Sequence, residues 1–255
     1  LKHLLEREKT IELKTVLQEA DLDYVQLDDT ALRLFPIRRE ELFTYDVIIF
    51  GDVNPALLST KVMSHINDFV EQKGGGMVFI AGERYLPLAY RDTPLARLFP
   101  VDLSSVTIPH STEAFVTGSV VLPTAMGLAS PPLQLGDSTQ ETAELWKNFA
   151  PIYWYLEATQ VKPAARVLAE HPTETGPDGR KLPLICLQYV GAGKVLFHAT
   201  DETWRWRWRY LVPGTGEATI IYRGFDRIFD WMDWTALRWT ALTGCSSSSS
   251  AAAAA

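Results

Sequence analysis

Cysteine is nearly absent. Only Cys186 and Cys245 occur in 255 residues, which excludes a disulfide framework and a cysteine-built metal centre. Usage this sparse fits a reducing compartment and is equally ordinary outside the cell. Histidine offers no substitute, because His3, His65, His110 and His171 show no ligand spacing; no metal site is expected. Excess positive charge is missing as well. The formal charge is −7 and the pI about 5.3, which argues against a general nucleic-acid or anionic-membrane binder, since both need a positive face. Long apolar runs are missing too. The longest weakly polar stretch, Ala114 to Ala129, is broken by Gly118, Pro123 and Gly127 and is too short to span a bilayer. There is no signal-peptide pattern. The chain opens on Leu1 inside an amphipathic stretch, so a piece of a longer protein is expected. Residues 244–255, which include "CSSSSSAAAAA", are low-complexity tail, leaving 1–243 as one domain.

What is present is a globular composition, 47% hydrophobic and 22% charged, enough for a sizeable core. Leu1, Leu4 and Leu5 have helical spacing; Ile11, Leu13, Val16 and Leu17 fit either a strand or a second helical stretch. "YDVIIFGDV" (45–53) is a continuous apolar run of buried parallel-strand type. Asn54-Pro55 opens a helix with Leu57, Leu58, Val62, Ile66, Phe69 and Val70 on one face, and Gly74 to Gly76 stop it. "MVFIA" (77–81) is the next strand, completing a right-handed strand–helix–strand unit. A short helix closes at Pro100, strands and loops fill 101–136, and a helix covers Gln140 to Phe149. Strands follow at 165–171, 182–190 and 193–200, the last two joined at Gly191-Ala192 as a hairpin. A final amphipathic helix is expected from Tyr222 to Leu242.

The segments "YDVIIFGDVNPALLS", "FVEQKGGGMVFIAGERYLP", "TPLARLFPVDL" and "PLICLQYVGAGKVLFHATDETWRWR", in that order, resemble the class I glutamine amidotransferase-like (flavodoxin-like) domain. The version they resemble is found in large bacterial membrane proteins. The resemblance covers about residues 1–210, and residues 211–221 depart from it. It implies a three-layer α/β fold with a mainly parallel sheet and a late antiparallel hairpin. It also implies a first strand lying upstream of Leu1, and hence an unfilled slot beside residues 45–51. By the same resemblance the chain is a soluble domain of a membrane-anchored bacterial protein, on either side of the membrane. Its partners would be other domains of that protein; an acidic protein is the partner that the Trp/Arg run at 203–210 would suit.

Members of that family that hydrolyse glutamine carry a cysteine on the turn after this strand and a His-x-Glu pair at the end of a later one. Here the turn reads Ala81-Gly82-Glu83-Arg84-Tyr85, and the resemblance puts the nucleophile position at or next to Glu83, with no cysteine nearby. A carboxylate there removes the first step of amide hydrolysis, so no glutaminase activity is expected. Cys186 lies within the apolar "LICLQ" and reads as core. His198, Asp201 and Glu202 fall close to the family's His-x-Glu position. A crevice framed by Asp52, Glu83, Arg84, His198, Asp201, Glu202, Trp204 and Arg205 is expected to bind, without a cofactor or metal. Asp52 also reads as an ordinary turn residue, and Asn54 as a helix N-cap. An alternative makes Glu83 and His198 the acid and base of a hydrolase or transferase.

"TWRWRWRY" (203–210) poses a separate question. In an extended chain Trp204, Trp206 and Trp208 face one side and Arg205, Arg207 and Arg209 the other. Such a run suits a carbohydrate or an anion. Equally, the tryptophans can cap the sheet edge while the arginines pair with Asp201 and Glu202; the net negative charge favours this second reading.

Overall fold

The computed structural model describes residues 1–6, 11–18, 23–109, 118–206 and 238–243. Its strands in chain order are β1 (Glu12–Leu17), β2 (Val47–Gly51), β3 (Gly76–Ile80), β4 (Val106–Thr107) and β5 (Leu122–Pro123). They continue with β6 (Glu157–Ala158), β7 (Ala165–Thr175), β8 (Lys181–Val190), β9 (Gly193–His198) and β10 (Arg238–Thr243). Eight of them form one mixed sheet in the order β1-β10-β2-β3-β9-β8-β7-β5, and β4 and β6 form a small second one. The pairs from β1 to β9 are parallel and those from β9 to β5 antiparallel. The chain is therefore an α/β protein with a mostly parallel sheet.

The apolar runs explain the centre. Val47, Ile48, Ile49 and Phe50 of β2 and Met77, Val78 and Phe79 of β3 are all buried, as strands covered on both faces must be. Phe50, Phe79 and Phe197 recur at matched register, and Phe99 stacks on Phe79 with ring centroids 4.1 Å apart. The 3₁₀ segment Pro94–Leu98, not a regular helix, delivers Phe99 to that cluster.

Between β2 and β3 the helix proper is Thr60–Asp68, capped by the Ser59 hydroxyl, which accepts from the Val62 N–H. Asn54 caps only the 3₁₀ turn Pro55–Leu57. That shifts the expected helix start by a turn and leaves Leu57 58% exposed, off the buried face. A π turn, Phe69–Lys73, ends at Gly74, whose φ of 85° lies in the left-handed region that favours glycine. The glycine cluster is thus a helix stop and strand entry. In the second half, Thr139–Lys147 is helical from its Ser138 cap, two residues short of the expected end.

Two expectations need correction. Residues 222–237 lie outside the described residues, but 238–243 form strand β10, not the end of a helix. β10 pairs in parallel with both β1 and β2, so the slot expected to stand open beside 45–51 is filled by the chain itself. Short apolar segments carry too little periodicity to separate helix from strand, and two parallel edges offer such a segment backbone partners on both sides. The same ambiguity at 12–17 resolves as strand β1. β7 runs on past its expected end through Pro172, across register shifts that accommodate a residue without an N–H. Among the described residues no helix is long and apolar enough to cross a membrane.

Candidate functional site

The carboxyl ends of β2, β3 and β9 lie side by side, and each delivers a polar group at the same edge of the sheet. β2 delivers Asp52. Its φ of 46° places a non-glycine residue in the left-handed region, a conformation aspartate tolerates better than most. This bend turns the carboxylate onto the segment after β3. Asp52 Oδ1 accepts from the Tyr85 and Leu86 N–H groups, both at 2.8 Å, and Oδ2 accepts from the Arg84 N–H at 3.2 Å. Gly82 makes the approach possible: a Cβ there would lie 2.2 Å from Asp52 Cγ. The turn is closed again by the Gly82 N–H donating to Leu86 O at 3.0 Å.

Glu83 stands at the apex of this turn, exposed. Arg84 is exposed too, with only its backbone N–H engaged by Asp52. His198 ends β9 at the register of Ile80 and Ile185 and is 7% exposed. Burial pushes its imidazole down to about 4, so it is neutral at ordinary pH. No ion pair joins Glu83 to His198 among the described residues. The ring is buried and the carboxylate exposed.

Asp201 is pushed up to about 6, first by desolvation, then by Glu202, with further contributions from Glu83 and Asp52. The last two place Asp52, Glu83 and Asp201 around one acidic crevice. Asp201 is exposed over the residue as a whole, so water screens this shift and it translates into little folding energy. Tyr90 lies beneath, fully buried, its hydroxyl donating to Val53 O at 2.8 Å; burial and the charge of Asp52 push its phenol up.

Glu202 differs from its neighbour. It is 7% exposed and every part of its carboxylate is engaged. Oε2 accepts from the Tyr153 N–H and from the Trp154 N–H, the latter at 2.9 Å. Oε1 pairs with Arg205 through Nε at 2.8 Å and Nη2 at 2.7 Å. Arg205 in turn lies over the Tyr153 ring, 5.0 Å from its centroid. Thr200 adds a second tie, donating to Trp154 O at 2.7 Å and accepting from the Glu202 N–H at 3.1 Å. Glu202 and Arg205 thus fasten the 153–154 segment and are not free to grip a ligand.

The aromatic and basic run resolves in the same direction. Glu202–Arg205 is a 3₁₀ turn, so the two-sided alternation of an extended chain does not apply there. Trp206 is buried, packed against Trp146 and Phe149 at centroid distances of 5.4 and 5.3 Å. Arg207, Trp208 and Arg209 lie outside the described residues, as does the side chain of Trp204. The structure therefore brings the carboxylates of Asp52, Glu83 and Asp201 near one another, leaves Arg84 exposed beside Glu83 with only its backbone N–H tied to Asp52, buries His198 at its strand end, and gives Glu202 and Arg205 a structural task. Tyr90, Thr200 and Tyr153 escaped the sequence reading; an acid three residues before an arginine at 202 and 205 was the one local signal of the clamp. Among the described residues no three His, Cys, Asp or Glu side chains are grouped to hold a metal.

No model of a known protein family matches the sequence, and no curated protein is a match. In structure the chain is similar to the cytoplasmic protein STM1381 from Salmonella typhimurium LT2, with a TM-score of 0.51 and 17% identity over 87% of this chain and 99% of that one. It is also similar to the cytoplasmic protein STM3548 from Salmonella typhimurium, with a TM-score of 0.50 and 17% identity over 78% and 76%. Both likenesses concern the fold alone.

Proposed function

We propose that this chain, as one domain over residues 1–243, is a non-catalytic binding or interaction module on a three-layer, flavodoxin-like scaffold related to the amidotransferases. It would serve a larger, membrane-associated bacterial protein by meeting that protein's other domains at the strand-end crevice. One observation carries the reading: the Asp52 carboxylate already holds the N–H groups of Arg84, Tyr85 and Leu86. An acyl-transfer site would turn such donors toward an oxyanion. Two points support it further. By the amidotransferase resemblance a thiolate would be needed at or next to Glu83, and among the described residues the buried His198 has no carboxylate joined to it by a hydrogen bond or ion pair. Glu83 and Asp201 make the crevice mouth acidic, with Arg84 as the exposed cation beside them; a partner offering a cation suits it better than the acidic partner expected from the Trp/Arg run.

The test pairs an assay with a titration. The purified chain and its Glu83→Cys variant should both release no ammonia from glutamine, because a thiol alone restores neither base nor oxyanion donors. Adding the parent protein's neighbouring domains should shift the NMR signals of Glu83, Arg84 and Asp201. Ammonia release by the unmodified chain, or shifts only elsewhere on its surface, would contradict the proposal.

A further inference from the structure

A cavity of about 520 Å³ lies between the β7–β8 hairpin and the 159–161 segment that follows β6. It shares no residue with the strand-end crevice. Its volume is that of a small-molecule site. Val161, Val167 and Pro183 give it an apolar floor. At the rim stand two ion pairs, Lys181 with Glu170 at 3.5 Å and Arg180 with Asp178 at 3.7 Å.

We propose that this cavity binds a neutral, polyhydroxylated small molecule of mono- or disaccharide size. Each rim pair is neutralised, yet its atoms are too far apart for a strong hydrogen bond. A hydroxyl inserted beside such a pair accepts from the cation and donates to the carboxylate at once, completing both. An ionic ligand would instead have to compete with a partner already in place. Gln160 adds an exposed side-chain amide, and the Thr159 hydroxyl, which donates to Ser105 O at 3.3 Å, keeps its acceptor capacity. The apolar floor suits the C–H face of a sugar ring.

The rim is also fixed in advance. The Gly176 N–H donates to Arg180 O at 2.8 Å, the Gly179 N–H to Gly176 O at 3.0 Å, and the Arg180 N–H to Asp178 Oδ1 at 3.0 Å. A turn tied three times fixes its backbone and the Asp178 carboxylate in advance, which lowers the ordering cost of binding at that end.

The experiment is saturation-transfer and amide-shift NMR on the whole chain with D-galactose, sucrose and myo-inositol, alongside inorganic phosphate and glycine betaine. At least one neutral probe should bind at millimolar concentration, with shifts confined to residues 159–161, 167–170 and 176–182. A Glu170→Gln, Lys181→Met double variant should weaken that binding by about tenfold or more, which corresponds to about 1.4 kcal/mol. Gln160→Ala should weaken it separately, a second readout should the double variant unfold. Binding of phosphate or betaine alone, binding unchanged in both variants, or no binding by any neutral probe would overturn the proposal.

Discussion

The carboxylate of Asp52 lies directly over Gly82: a methyl group added at that glycine would meet Asp52 Cγ at 2.2 Å. The two residues sit at the ends of neighbouring strands, and the turn that follows β3 depends on both. Gly82→Ala should cost about 1–3 kcal/mol, the range for forced overpacking. Asp52→Ala should cost about 2 kcal/mol or more by releasing the turn's N–H groups. In the double variant the second change should cost less than alone, with a coupling of about 1 kcal/mol or more. Urea unfolding of the four proteins measures it. Strict additivity would mean that the two side chains do not meet.

Glu202 is a buried anion whose removal strands both Arg205 and the N–H groups of Tyr153 and Trp154. Glu202→Ala should therefore destabilise the fold by about 3–5 kcal/mol. Glu202→Gln keeps part of the hydrogen bonding and should cost less. An alanine variant as stable as the parent chain would show that the clamp contributes nothing.

His198 and Asp201 should pull stability in opposite directions as the pH falls. Burial holds the folded His198 at about 4, below its ordinary 6.5, so between those values the unfolded chain binds the extra proton and acid destabilises the fold. Asp201 is raised from 3.8 to about 6, so there the folded chain binds the extra proton and acid stabilises it. Asp201→Asn should then raise Tm at pH 7, on the order of 2 °C given solvent screening, and should steepen the loss of stability below pH 6. His198→Gln should flatten that loss. Melting curves from pH 4 to 7.5 separate the two; identical profiles for both variants would contradict the assignment.

Cys186 is fully buried in β8 and its thiol is pushed up to about 12 by desolvation. In a Cys245→Ser background a thiol reagent should leave the folded chain unlabelled and label it fully in denaturant. Rapid labelling of the native protein would place Cys186 outside the core.

Local order was readable from the sequence. β2 and β3 announce themselves as continuous apolar runs, Gly74 as a helix stop, Gly191 as a hairpin turn and Cys186 as core, because each follows from a few neighbouring residues. What escaped is non-local. β10 finds its place only because β1 and β2 both offer it an edge. The grip of Asp52 on Arg84, Tyr85 and Leu86 needs a left-handed bend and a missing side chain on the next strand. Glu202 reaches residues 153 and 154, far back along the chain. The Trp/Arg run was read correctly where it is described, with Arg205 paired to Glu202 and Trp206 packed into the core, but its two-sided alternation does not apply, because period two has meaning only in an extended chain and Glu202–Arg205 is a tight turn.

The account stands most directly on amide hydrogen exchange at Arg84, Tyr85 and Leu86. With the Asp52 carboxylate holding these groups, exchange in the unmodified chain should be slow. Asp52→Ala should accelerate it about a hundredfold while leaving the amides of β3 protected. Fast exchange at all three positions in the unmodified chain would mean that the turn keeps its donors free, and the case for a crevice that binds without catalysing would lose its foundation.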